Sequence, residues 1–200
     1  MQLDLRFSTR PLEDIWCQAL TAFVFQESGI TSSPLSELNE KFSGYLGYIA
    51  DRGLWSGAKG EKLLLATQDM INAEKLLIHG LGRREDFSIS ILENEAEELG
   101  NTLDRIKVCD FGISVPVLGS LETEYSSYLE SSAIQLVKQF FNNHKDDGDF
   151  YLKVIFSVER EFVNALSAVE NRLRDHFNSL MDFSIVIDRN SLIEESEASG

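Results

Sequence analysis

Cysteine is scarce in this chain: Cys17 and Cys109 are the only two in 200 residues. Both stand among apolar neighbours, so buried free thiols are expected rather than a disulfide or a zinc pair. Long apolar runs are lacking as well. None approaches the roughly 20 residues that a membrane helix needs. The opening Met1–Gln2–Leu3–Asp4–Leu5–Arg6–Phe7 alternates apolar and polar residues, without the basic start and apolar centre of a secretory signal. No membrane association is expected, and the cytoplasm is the expected compartment. Cations are also few: 18 Lys and Arg against 33 Asp and Glu leave a formal charge of −15. A polyanion would have to bind against that field, so no nucleic-acid partner is expected.

Recognisable catalytic patterns are missing too. There is no Gly-x-Ser-x-Gly elbow and no phosphate loop ending in Gly-Lys-Ser/Thr. His79, His144 and His176 have no second histidine or cysteine at metal-ligand spacing, so neither a metal nor any other cofactor is expected. His79 lies inside an apolar stretch and reads as a hydrogen-bonded core histidine. Glu93, Glu95, Glu97 and Glu98 read as a solvated helix face.

What is present is an alternation of strand and helix patterns. Leu3, Leu5 and Phe7 share one face of a first strand, and Ala19 to Phe25 is a continuous apolar strand. Ser33–Pro34 has the form of a helix N-cap with proline at the first helical position. Leu35, Leu38, Phe42, Leu46 and Ile49 supply the apolar face of one helix behind it. A loop with Gly53, Gly57 and Gly60 leads to strands over residues 62–67 and 75–80. The three- and four-residue spacing of Ile89, Leu92, Ala96, Leu99, Leu103 and Ile106 predicts a helix lying on a sheet. A strand around Ile113–Leu118, a helix over 125–142, a strand over 151–157, a helix over 159–177 and a short strand over 183–187 complete the pattern. The result is an α/β fold whose sheet is covered on both faces. One domain over residues 1–188 is expected, followed by an acidic tail over 189–200 with too little apolar surface to order itself.

The candidate site lies at strand ends. Lys75–Leu76–Leu77–Ile78–His79–Gly80–Leu81–Gly82–Arg83–Arg84 reads as a buried strand running into a Gly-x-Gly turn, with two cations just beyond. Val117–Leu118–Gly119–Ser120 closes a second strand in the same way. Open α/β sheets build ligand crevices at such ends, which makes Gly80, Gly82, Arg83, Arg84, Leu118, Gly119 and Ser120 the candidate ligand-binding residues. Glu85 stands three residues after Gly82, where the dinucleotide fingerprint needs glycine, so that fingerprint fails.

The loop Trp55–Ser56–Gly57–Ala58–Lys59–Gly60–Glu61, the strand Lys62–Leu63–Leu64–Leu65 and then Leu76–Leu77–Ile78–His79–Gly80–Leu81–Gly82 resemble the N-terminal domain of the leucyl (cytosol) aminopeptidases. The resemblance covers residues 3 to 177. It implies a macro-domain-like, three-layer α/β/α fold with a mixed central sheet. It also implies a domain that contributes to oligomer architecture, because metals and catalysis belong to a second domain of Lys, Asp and Glu ligands in that family. This chain ends where that domain would begin, so peptidase activity is not expected. Asn101–Thr102–Leu103–Asp104 is superficially similar to one metal-binding motif of that domain, but sits on an amphipathic helix without the acidic and glycine residues that should follow.

Compared with ADP-ribose-binding macro domains, the chain departs at both halves of the crevice. Phe25–Gln26–Glu27–Ser28–Gly29 and Thr31–Ser32–Ser33–Pro34 offer one glycine, no asparagine and an acidic Glu27, where backbone amides should approach a pyrophosphate. Val117 to Ser120 runs into Glu122 and Glu124, which repel phosphate. Three expectations follow: a non-catalytic domain acting through a protein partner or self-association; a binding module for a nucleotide or ADP-ribose-like small anion; or an enzyme of another type around Ser120 and His79. The first fits the missing site residues best.

Overall fold

The computed structural model describes residues 1–28, 35–118 and 121–188. The strands are β1 (Gln2–Ser8), β2 (Cys17–Phe25), β3 (Lys62–Ala66), β4 (Ala73–Gly82), β5 (Asp110–Ser114), β6 (Tyr151–Ser157) and β7 (Asp182–Asp188). The helices are α1 (Leu35–Lys41), α2 (Tyr45–Asp51), α3 (Ile89–Arg105), α4 (Glu122–His144) and α5 (Leu166–Phe177). All seven strands form one sheet in the order β3-β4-β2-β5-β6-β1-β7. β3 runs antiparallel to β4 and every other neighbour pair is parallel, so the sheet is mixed. The expected three-layer α/β architecture is the one found.

Strand alternation sorts the core into two clusters. Ala19, Phe23 and Phe25 of β2 join Leu3, Leu5 and Phe7 of β1 beneath α3, α4 and α5. Leu20, Ala22 and Val24 face the other way, against Leu35 and Leu38 of α1 and Leu46 and Ile49 of α2. This second layer is narrow. Across β6, β1 and β7 the same side of the sheet carries Lys153, Asp4, Arg6, Ser184 and Val186, in register as Asp4 with Lys153 and Ser184, and Arg6 with Val186. Asp4 is buried there and accepts from Arg6, from Tyr151 Oη at 2.8 Å and from Ser184 Oγ at 3.2 Å.

Several boundaries differ from the sequence expectation, each for a local reason. The single helix over Leu35–Ile49 is two, because the chain turns left-handed at Ser43 (φ 53°) and Gly44 (φ 80°). Gly44 N–H donates to Asn39 O and Ser43 N–H to Glu40 O, which satisfies the last carbonyls of α1 in a Schellman arrangement. β5 ends at Ser114 instead of reaching Leu118; Pro116 has no N–H to give to a ladder. The segment before α5 is a 3-10 turn over Arg160–Ala165. Cys17 and Cys109 are free and half-buried, with the Cys17 thiol pushed up to about 11 by burial. The proposed cap at Ser33–Pro34 and the acidic tail lie outside the described residues. Among the described residues no helix is long and apolar enough to cross a membrane.

Candidate ligand crevice at the strand ends

Gly80 and Gly82 do not form a turn after the strand; both belong to β4. Their register to β2 slips once, so that Val24 pairs with Gly80 and Phe25 with Gly82. The loop over residues 57–61 lies directly across them. Gly60 N–H donates to Gly80 O at 2.9 Å, Gly80 N–H to Glu61 O at 2.8 Å, and Gly82 N–H to Gly57 O at 3.0 Å. A Cβ at Gly80 would sit 2.2 Å from Ala58 O, so glycine is required there by a crossing backbone. Glu61 holds the loop's shape, its carboxylate accepting from Ser56 N–H, Ser56 Oγ–H and Ala58 N–H. Burial opposes charge on Glu61, but these bonds prevail and hold its carboxyl below the usual range. The two stretches that carried the resemblance are thus one packed unit.

The two arginines part company. Arg83 points outward and pairs with Glu85 at 3.0 Å, both well exposed. Arg84 turns over the end of β2: its guanidinium lies 5.3 Å from the Phe25 ring centroid and donates to Ser28 Oγ at 3.0 Å. The Arg84 backbone N–H donates to the Glu27 carboxylate at 3.0 Å, which helps to hold that group below its usual pKa. Arg84 also borders a crevice of about 250 Å³ whose other walls include Phe23, Phe25, Leu35, Val115, Pro116 and Glu159. Burial raises the Glu159 carboxyl, with help from Glu161 and Glu37. Phe25 lines this crevice, whereas Trp55 is packed in the opposite cluster against Gly57. Leu118 is half-buried and packs against the larger core; Gly119 and Ser120 lie outside the described residues.

The crevice is small, and among the described residues that line it Arg84 is the one cation, already engaged. Ligand sites for drug-sized molecules run from about 300 to 1,000 Å³. His79 is fully buried beneath α3, its Nε2 2.6 Å from Glu95 Oε2. Glu95 departs from the expected solvated face: it is 6% exposed and occupies the apolar side of α3. Its place between Leu92 and Leu99, three and four residues away, is the signal for this in the sequence. Among the described residues no three His, Cys, Asp or Glu side chains gather as a metal site.

The architecture is that of a macro-like α/β/α domain. The structure of a tomato leucine aminopeptidase mutant superposes with a TM-score of 0.62 at 11% identity, covering 86% of this chain and 37% of that one. A Trypanosoma brucei macrodomain, solved in complex with ADP, gives 0.56 at 12% identity over 83% of this chain and 67% of its own. Sequence is more specific than shape. The family model described as "Cytosol aminopeptidase family, N-terminal domain" matches residues 22–145, and the chain belongs to that family. A probable cytosol aminopeptidase of Cyanothece sp. is 26% identical over 151 residues, 74% of this chain and 30% of that protein. Another, of Thermosynechococcus vestitus, is 31% identical over 104 residues, 50% of this chain and 21% of its own. The chain thus spans less than a third of the length of these relatives.

Proposed function

We propose that this chain is a non-catalytic domain of the cytosol aminopeptidase family that acts in the cytoplasm by binding protein, as a partner or as further copies of itself. The observation that supports this reading most is the state of the strand-end crevice. It is walled by Phe23, Phe25, Leu35 and Val115, its cation Arg84 is held by Ser28 and Phe25, and Glu159 opposes an anion. The family model that matches residues 22–145 is that of the N-terminal domain. His79, wholly buried and bound to Glu95, is out of reach of any substrate, which weakens the proposal of an enzyme around Ser120 and His79.

A second reading, a module for a nucleotide or similar small anion, draws on one observation: Arg84 borders the crevice while Arg83 does not. The leading reading is tested with the purified chain, by light scattering for its mass and by recovery of binding proteins from a cell extract. A strict monomer that recovers nothing overturns it.

A further inference from the structure

The sheet has two edges, and they differ in charge. β7 carries a carboxylate at each end, Asp182 and Asp188. A second copy laid antiparallel on it would set Asp182 opposite Asp188 twice, a destabilising like-charge pairing. β3 at the other edge reads Lys62–Leu63–Leu64–Leu65–Ala66 and contains no carboxylate. Its one charge, Lys62, lies 3.6 Å from Glu98 of α3. Among the described residues β3 pairs with β4 alone, and none of them sets a strand beside the alternate N–H and C=O groups of its outer edge. Edges are ordinarily protected by charge, proline, bulges or a covering element, and β3 itself has only the terminal lysine.

Apolar side chains are exposed on both sides of this edge. Leu64 is 48% exposed on the α3 side, opposite Leu77 of β4. On the α2 side β3 borders a shallow groove of about 360 Å³, lined by Phe42, Tyr45, Leu65 and Met70. Tyr45 is half exposed and stacks on Tyr48, ring centroids 6.2 Å apart.

We propose that β3 is a self-association edge, where a second copy of this chain adds its own β3 antiparallel across a two-fold axis at Leu64. This rests on the protein-binding reading above and names the partner. The sequence of the strand suits an isologous contact, in which one patch meets itself. Leu64 meets Leu64, Leu63 meets Leu65, and Lys62 meets Ala66, so no charge faces its like. Two copies, each of net charge −15, repel one another over most of their surfaces. β3 itself adds no carboxylate to that repulsion, and Leu64, Tyr45 and Met70 beside it offer apolar surface to the second copy. The pairing joins two seven-stranded sheets into one and gives the free edge groups their partners.

The test is light scattering of the full chain across a wide range of concentration, with amide exchange measured at both ends of the range. The expected result is a rise from 22.6 kDa to twice that mass, with exchange slowing in β3. Leu64→Lys should raise the dissociation constant at least about tenfold, while Val186→Lys on β7 should leave it unchanged; circular dichroism melts establish that both variants fold. Should Leu64→Lys fail to fold, the exchange of β3 amides in the unaltered chain decides: concentration-dependent slowing there supports the proposal, and its absence overturns it. A monomer throughout, or a folded Leu64→Lys chain that still pairs, also overturns it. A monomer that nevertheless recovers a partner protein overturns the edge alone and leaves the protein-binding reading standing.

Discussion

His79 Nε2 and Glu95 Oε2 lie 2.6 Å apart in the interior, joining β4 to the inner face of α3. Burial lowers the His79 pKa more than the bond to Glu95 raises it, with Lys62 also lowering and Glu98 raising it. His79 is therefore neutral in the fold, with Nε2–H donating to the carboxylate. Its unfolded value is about 6.5. Between that value and the lower folded one the unfolded chain binds more protons, so stability falls as pH drops through 6.5. The expected outcome is an unfolding free energy that declines from pH 7 toward 5, with a smaller decline in His79→Gln, measured by urea titration at several pH values. An unchanged slope in the variant would refute the assignment. At neutral pH, His79→Phe should cost about 1–3 kcal/mol or more by leaving the buried Glu95 without its hydrogen-bond donor. Glu95→Gln, which keeps an acceptor, should cost less.

Gly80 and Gly148 provide a second contrast. A Cβ at Gly80 meets Ala58 O at 2.2 Å and Gly57 C at 2.6 Å, both backbone, whereas Gly148 has nothing within 4 Å. Gly80→Ala should destabilise by about 1–3 kcal/mol or more, and Gly148→Ala should stay within about 0.5 kcal/mol. Thermal melts of the two variants distinguish them. Equal melting temperatures would contradict the crossing of the 57–61 loop over β4.

Asp4 predicts an acid-sensitive contribution. Burial alone would raise its carboxyl, but bonds from Arg6 and Tyr151, the Arg6 charge and the Ser184 bond together hold it below 3.8. The stability this brings is present above 3.8 and lost as pH falls through the lower folded value. Asp4→Asn should cost about 1–3 kcal/mol at pH 7, and the difference from the unaltered chain should shrink toward pH 2. A cost that stayed constant down to that pH would show that charge plays no part.

Anion binding separates the two functional readings. ADP-ribose, AMP and phosphate at millimolar concentration are expected to leave the melting temperature unchanged. A ligand at about a hundredfold over its dissociation constant would add roughly 2.7 kcal/mol, well above detection. A rise abolished by Arg84→Ala would favour the anion reading; a rise that persisted in that variant would place the anion elsewhere.

Much of this fold is legible in the periodicity of its apolar residues. The stripe of α3 and the run Ala19–Phe25 report which side chains avoid water, and that is a local property of residues two, three or four apart. The break at Ser43–Gly44 is not legible, because the apolar spacing continues across it from Phe42 to Leu46. At the crevice, Arg83 and Arg84 are adjacent and chemically alike, and nothing local distinguishes the one bound to Ser28 from the one bound to Glu85.

The sequence by itself determined the family, the order of strands and helices, and the apolar faces that drive them together. Tertiary structure alone decided what Gly80 and Gly82 are for, since their need for glycine comes from a loop some twenty residues earlier crossing the strand. It likewise made Glu95 an interior partner of His79 and left β3 as a carboxylate-free edge. Patterns of burial propagate along the chain, but a contact between distant segments depends on where each is carried, and that is set only when the whole sheet has closed on its helices.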